Sequence, residues 1–166
     1  MGPFMTPLDD KVIVVKDGTV IRGSASRVYQ YVWDARSWPR LNPHVKEVNV
    51  LEERPNYQHL WMQIESDGKI VTMVTERFGE PHRAVTYFQT QPPPFFKSHK
   101  GQWGIEESEG QTSLTLVHTV AVCTEKARMM LGLESDEDIS SKVSSLLRRN
   151  GNRTIEAIKN AVEAQP

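Results

Sequence analysis

The chain has 166 residues, of which 38% are hydrophobic and 25% charged, with a formal net charge of -1. That length and composition fit one globular domain with a core large enough to stand alone, and the balanced charge excludes a sequence-independent grip on nucleic acid, which needs a clustered excess of Lys and Arg. A single cysteine, Cys123, excludes an internal disulfide and suits a reducing, cytoplasmic compartment, while no apolar run reaches the roughly 18 residues of a membrane span.

Residues 1–10 read as an N-terminal extension and 11–163 as a single domain. Residues 12–22 predict a first strand, with turn chemistry at Asp17 and Gly18 that would break it. Ser24 is placed to cap a helix over 25–34, in which Val28, Tyr31 and Val32 recur at helical spacing as an apolar stripe. Trp38-Pro39 ends it, and a short turn through Leu41, Asn42 and Pro43 leads on. Six strands are then expected over 45–52, 57–65, 69–78, 83–91, 100–107 and 112–123, joined by short turns such as Ser66-Asp67-Gly68 and Glu109-Gly110, which implies an antiparallel meander. Met129-Met130-Leu131 is expected to cap a cavity mouth, since flexible methionines suit a mobile lid. A long helix follows, with Ser135 as cap and Asp136, Glu137 and Asp138 in its first turn. Its apolar stripe runs from Ile139 through Val143, Leu147, Ile155 and Ile158 to Val162. Asn150 and Thr154 fall on the same side, and Gly151 interrupts the middle at a cost of about 1 kcal/mol relative to Ala unless close packing or a bend requires it.

Two residues break the patterns of their strands. In the last strand Leu114, Leu116, Val120 and Val122 share one parity, and His118 falls on that apolar side. An imidazole facing the inside of a sheet needs a hydrogen-bond partner or a wet cavity, since burying its nitrogens unpaired costs roughly 1–3 kcal/mol. In 70–78 the sets Val71, Met73, Thr75, Arg77 and Ile70, Thr72, Val74, Glu76 are equally eligible for the inside. If the first set is inner, Arg77 brings a charge it cannot shed into the interior and needs a carboxylate, carbonyls, water or an anionic ligand. The five histidines, His44, His59, His82, His99 and His118, show no metal-ligand spacing, and phosphate-binding glycine loops and a nucleophile elbow are absent. No metal or cofactor is expected.

Strand, helix, six antiparallel strands and a long capped helix is the order of the α+β helix-grip fold, and several motifs make the resemblance specific. They are Trp38-Pro39 with Leu41, Val45-Lys46-Glu47-Val48, Gly68-Lys69-Ile70 with Thr75 and Arg77, then Arg83, Tyr87, Gly101-Gln102-Trp103, Leu116-Val117-His118, and Arg149-Asn150 with Ile155 and Ile158-Lys159. Over nearly its whole length the chain resembles the START and Bet v 1-like superfamily, and within it the single-domain aromatase/cyclases of type II polyketide synthases. The resemblance implies a curved antiparallel sheet of about seven strands around the C-terminal helix, enclosing a pocket. There a linear poly-β-ketone, presented by an acyl carrier protein, is closed and dehydrated to an aromatic ring. The family's pocket arginine falls on Arg77, which puts the Val71 set inside, its small hydroxyl residue on Thr75, and the histidine of some members on His118. A helix carboxylate or amide of some members falls on Thr154, a departure.

Ring closure between ketones requires removal of a methylene proton, stabilisation of a developing oxyanion and loss of water, so His118 suits the acid/base and Arg77 the oxyanion partner. Thr75 and Thr154 are positioned to hold a carbonyl or a water. Trp38, Trp61, Met73, Tyr87, Gln89, Trp103 and Asn150 are expected to shape and bind the substrate. The competing reading from the same fold is a non-catalytic carrier or sensor of a hydrophobic small molecule, such as a lipid, quinone or polyketide. A monomer and a homodimer are both compatible with the sequence.

Overall fold

The computed structural model describes residues 10–92 and 94–165, so the expected N-terminal extension falls, but for its last residue, outside the described residues. Seven strands, β1 (Asp10–Arg22), β2 (Val45–Arg54), β3 (Tyr57–Ser66), β4 (Lys69–Glu80), β5 (Ala84–Gln91), β6 (Phe96–Ser108) and β7 (Gln111–Cys123), pair in the order β1-β7-β6-β5-β4-β3-β2. Every pairing is antiparallel. Helices α1 (Ala25–Trp33), α2 (Trp38–Leu41), α3 (Thr124–Leu131) and α4 (Asp136–Glu163) complete the chain, and the long α4 lies against the concave side of the curved sheet, as the helix-grip reading requires.

The caps form as their residue types dictate. Ser24 Oγ accepts from the Arg27 amide at 3.2 Å and Ser135 Oγ from the Asp138 amide at 3.0 Å, each satisfying one of the free donors at a helix start. Along α4 the apolar stripe divides. Ile139, Val143 and Leu147 pack with Ile13, Val15, Val120 and Val122, whereas Ile155, Ile158 and Val162 pack with Val28 and Val32 of α1 and with Leu60 and Trp103. Asn150, Gly151 and Thr154 occupy the stretch between the two clusters, and there the interior is hollow.

Two local expectations are corrected. The strand does not break at Asp17 and Gly18, because both continue the ladder with β7, opposite Leu116 and Thr115. A Cβ on Gly18 would lie 2.8 Å from the Leu114 carbonyl oxygen, so this glycine permits close approach of two strands rather than a turn. Trp38-Pro39 does not end the helical region: a 3-10 turn at Ala35–Ser37 leads into α2, with the proline in the first turn, where its missing N–H costs nothing. The methionine segment is the end of α3, which stops at Gly132 in the left-handed conformation with φ 69°. Met130 and Leu131 there border the cavity, while Met129 points to solvent.

Candidate functional site

A cavity of about 630 Å³ opens between α4 and the concave face of the sheet. Ten of the eleven residues singled out from the sequence line it: Arg77, His118, Thr75, Thr154, Trp38, Met73, Tyr87, Gln89, Trp103 and Asn150. The exception is Trp61. In β3 the buried parity is Gln58, Leu60, Met62 and Ile64, so Trp61 stands on the outer face, and Met62 and Ile64 line the cavity in its place.

The pairing register lines up the polar centre. Arg77 lies opposite Tyr87, Tyr87 opposite Gly101 and Gly101 opposite His118. The row continues from Arg77 to Gln58 on β3 and from His118 to Val15 on β1, and all six residues are buried. Strand side chains alternate faces with period two, so one inward row across six strands carries the whole constellation. Gly101 is its keystone: a Cβ there would lie 2.0 Å from the Tyr87 ring. The missing side chain is the space through which Tyr87 crosses β6 to reach β7.

On the far side of that gap Tyr87 Oη lies 2.7 Å from His118 Nδ1 and 3.0 Å from His99 Nε2, and the two ring nitrogens are 3.1 Å apart. His118 is therefore held by a tyrosine and a second histidine, not by a backbone carbonyl. Its other nitrogen, Nε2, is buried without a hydrogen-bond partner among the described residues. Gly151 faces it, and a Cβ on Gly151 would lie 3.1 Å from Nε2. The mid-helix glycine thus lets α4 pass close to this nitrogen. Gln89 Oε1 is a second buried acceptor without a partner, its Nε2 donating to Met73 Sδ at 3.1 Å.

Arg77 is 3% exposed and its charge is met by oxygens without a carboxylate. Nη1 donates to the Trp33 carbonyl at 3.1 Å and to Gln58 Oε1 at 2.7 Å, and Nη2 donates to the Val32 carbonyl. Those carbonyls are the last of α1, where orphan oxygens and the helix dipole favour a cation. Trp33 and Trp38 sandwich the guanidinium, 5.3 and 5.2 Å from their ring centroids, and Trp38 in turn meets Trp103 edge-on at 6.3 Å. Burial lowers the Arg77 pKa to about 10, so it remains a cation at neutral pH.

A second polar group enters from the opposite side. Asn42 Nδ2 donates to Thr154 Oγ1 at 2.9 Å, the Thr154 hydroxyl donates to the Asn150 carbonyl at 3.3 Å, and His44 Nδ1 lies 2.6 Å from Asn42 Oδ1. Asn42, His44 and His99 were not anticipated from the sequence. Extending the expected sixth strand by one residue would have placed His99 on the inward parity of Gly101 and Trp103. Asn42 and His44 sit beside a proline in what reads as a turn, and the 112 residues between Asn42 and Thr154 hide their contact.

Burial is the leading cause of the low pKa of all three interior imidazoles, about 4 for His44, about 3 for His99 and about 4 for His118. They are neutral in the folded protein at pH 7 and charge more readily once unfolded. The unfolded chain therefore binds more protons as pH falls below about 6.5, and stability is lost through that window until the folded groups titrate near pH 4. Urea midpoints are expected to drop from pH 7 to pH 4.5, by about 1 kcal/mol per pH unit for each of His99 and His118. A His99→Gln, His118→Gln double variant should flatten the curve. An unchanged slope would contradict this account.

Among the described residues, no group of three or more His, Cys, Asp and Glu side chains is placed to hold a metal ion, and no helix is long and apolar enough to cross a membrane. Residues 21–147 match the model of the family described as polyketide cyclase / dehydrase and lipid transport. The chain is 24% identical over 161 residues to the granaticin polyketide synthase bifunctional cyclase/dehydratase of Streptomyces violaceoruber, covering 95% of this chain and 49% of that protein. It thus spans about half the length of that relative. Among solved structures it is similar to the di-domain aromatase/cyclase BexL of the BE-7585A biosynthetic pathway, with 30% identity and a TM-score of 0.87 over 93% of this chain and 51% of the other. The ZhuI aromatase/cyclase of Streptomyces sp. R1128, at 20% identity, shares the fold with a TM-score of 0.84 over 93% and 96% of the two chains. With a hollow helix-grip fold and a match over more than three quarters of its length, the chain belongs to the polyketide cyclase / dehydrase and lipid transport family.

Proposed function

We propose that this domain closes and dehydrates a ring of a poly-β-ketone intermediate inside the cavity, the substrate arriving on an acyl carrier protein in a cytoplasmic setting. The observation that carries the reading is His118 Nε2, a buried nitrogen without a partner among the described residues, on a side chain that lines the cavity and is backed by Tyr87 and His99. A carrier of apolar molecules gains nothing from such a nitrogen, which costs roughly 1–3 kcal/mol to leave unpaired. An acid–base catalyst requires it.

The proton transfers of ring closure are met by this group. Neutral His118 takes a proton from a methylene between two ketones, the resulting enolate carbon bonds to a distant ketone carbon, and the alkoxide formed takes the proton back. Loss of the second methylene proton and its transfer to the departing hydroxyl release water and leave a carbon–carbon double bond. The Tyr87 hydroxyl and His99 Nε2 both reach His118 Nδ1, so the transient imidazolium meets acceptors as it forms. Arg77 supplies a fixed positive potential at the same end of the cavity, and Gln89 and Thr75 are placed to orient the ketone chain.

The test is reconstitution with a minimal polyketide synthase, with products compared by mass spectrometry. One dehydrated ring pattern replacing a spontaneous mixture is the expected result. An unchanged mixture would shift the assignment to a non-catalytic carrier or sensor of a hydrophobic small molecule.

A further inference from the structure

Of the buried titratable groups that line the cavity among the described residues, His44 is left without a role in ring closure. His44 is 5% exposed and lines the cavity from the segment just before β2, the edge strand far from β7. Its backbone is pinned, since the His44 carbonyl accepts from the Glu65 amide at 2.7 Å. Asn42 is held equally firmly, its amide donating to the Trp38 carbonyl at 2.8 Å and its carbonyl accepting from the Val45 amide at 2.9 Å.

The hydrogen-bond chain fixes the tautomer. The Thr154 hydroxyl spends its one proton on the Asn150 carbonyl, so Thr154 Oγ1 accepts from Asn42 Nδ2. Asn42 Oδ1 must then face His44, and as an oxygen without hydrogen it can only accept, which puts the proton of neutral His44 on Nδ1. Nε2 is left with a free lone pair. Gly151 and Thr154 are three residues apart and share one face of α4. His118 is presented against the first and His44, through Asn42, against the second, so two imidazoles reach one turn of helix from different walls.

We propose that His44 is a second acid–base group of this cavity, with Asn42 and Thr154 as positioning residues that hold its lone pair toward the substrate. The inference rests on the ring-closing reading and divides its labour. The two hydrogens of the reacting methylene point to opposite faces of the forming ring, and closure and dehydration each remove one of them. His118 takes and returns the proton of ring closure. His44 Nε2 takes the remaining proton, and when the carbon–oxygen bond breaks it returns that proton to the departing hydroxide as water. The burial that keeps His44 neutral guarantees the lone pair at neutral pH. The groups facing it are Lys46 on β2, Arg153 on α4 and Glu65 on β3.

The experiment repeats the reconstitution with His44→Gln, Asn42→Ala, Thr154→Val and Thr154→Ser, each checked for native circular dichroism. With His44→Gln, ring closure is expected to continue while dehydration slows at least ~10-fold, so that a ring-closed product one water heavier accumulates. Asn42→Ala and Thr154→Val should give the same product with a smaller loss, Thr154→Ser should restore the wild-type ratio, and added imidazole should rescue His44→Gly. Nitrogen-15 spectra of the unliganded wild type should show His44 protonated at Nδ1, a readout that survives poor folding of any variant. A wild type that leaves the polyketide mixture unchanged overturns the ring-closing reading. A wild type that redirects it while His44→Gln performs equally overturns only the role of His44, as does an Nε2-protonated His44.

Discussion

Replacing Arg77 by methionine is expected to lower the unfolding free energy by about 3 kcal/mol, because the guanidinium is a structural cation before it is anything else. The substitution keeps most of the volume and removes the donors. The Val32 carbonyl and Gln58 Oε1 lose the partner the structure shows for them, at about 1–3 kcal/mol each for a buried acceptor left unpaired. The Trp33 carbonyl keeps its bond from Gln58 Nε2 at 3.1 Å, so it adds little. Part of the loss is offset because a buried charge no longer has to be desolvated. For a domain of this size the melting temperature should fall by roughly 6–12 °C, and urea titration at pH 7 measures the free energy directly. Arg77→Lys should recover only part, since an ammonium cannot match the two-pronged reach to α1 and Gln58. A stability equal to wild type in Arg77→Met would show that the carbonyls of α1 are satisfied without it.

The architecture was legible because period two and period 3.6 patterns are long in this chain. Thirteen residues of alternation in β7 and nearly eight turns of stripe in α4 leave few alternatives. Individual side chains were legible where one residue defied its pattern: His118 on an apolar parity and Gly151 inside a helix both mark the cavity, from opposite walls. Arg77 lay between. Two equally plausible parities could not decide its side, and only the family resemblance did.

What stayed hidden has physical reasons. Gly101 looks like any strand glycine until the register sets Tyr87 beside it, and Asn42 looks like turn chemistry until tertiary packing brings Thr154 within 2.9 Å. Trp61 was expected inside on a choice of strand parity, whereas Leu60, Met62 and Ile64 occupy the buried parity. Thr154 marks the subtlest gap. The resemblance implied a carboxylate or amide at this helix position, and here the threonine receives an amide from Asn42. The polar function is divided between two elements far apart in sequence, which no reading of a single position can detect.

Replacing His118 by glutamine is expected to cost at least ~100-fold in directed ring closure, the lower end of what a positioned acid–base group contributes, with little change in fold. The argument for a clean loss lies in the contacts. His118 Nδ1 meets Tyr87 and His99, but Tyr87 Oη and His99 Nε2 also meet each other at 3.0 Å, so both keep a partner when the imidazole is gone. Nε2 makes no bond that could be lost. Stability at pH 7 should therefore stay within about 1 kcal/mol of wild type, and it should hold better in mild acid because one depressed histidine has been removed. Activity and stability then move in opposite directions, a signature that a packing residue does not give. The measurement pairs the polyketide product ratio with urea midpoints at pH 7 and pH 5. A variant that keeps the directed product would remove His118 from the chemistry and leave it as a core residue. One that loses product and stability together would assign the loss to packing. Loss of product alone identifies the His118 imidazole as the group that moves the proton.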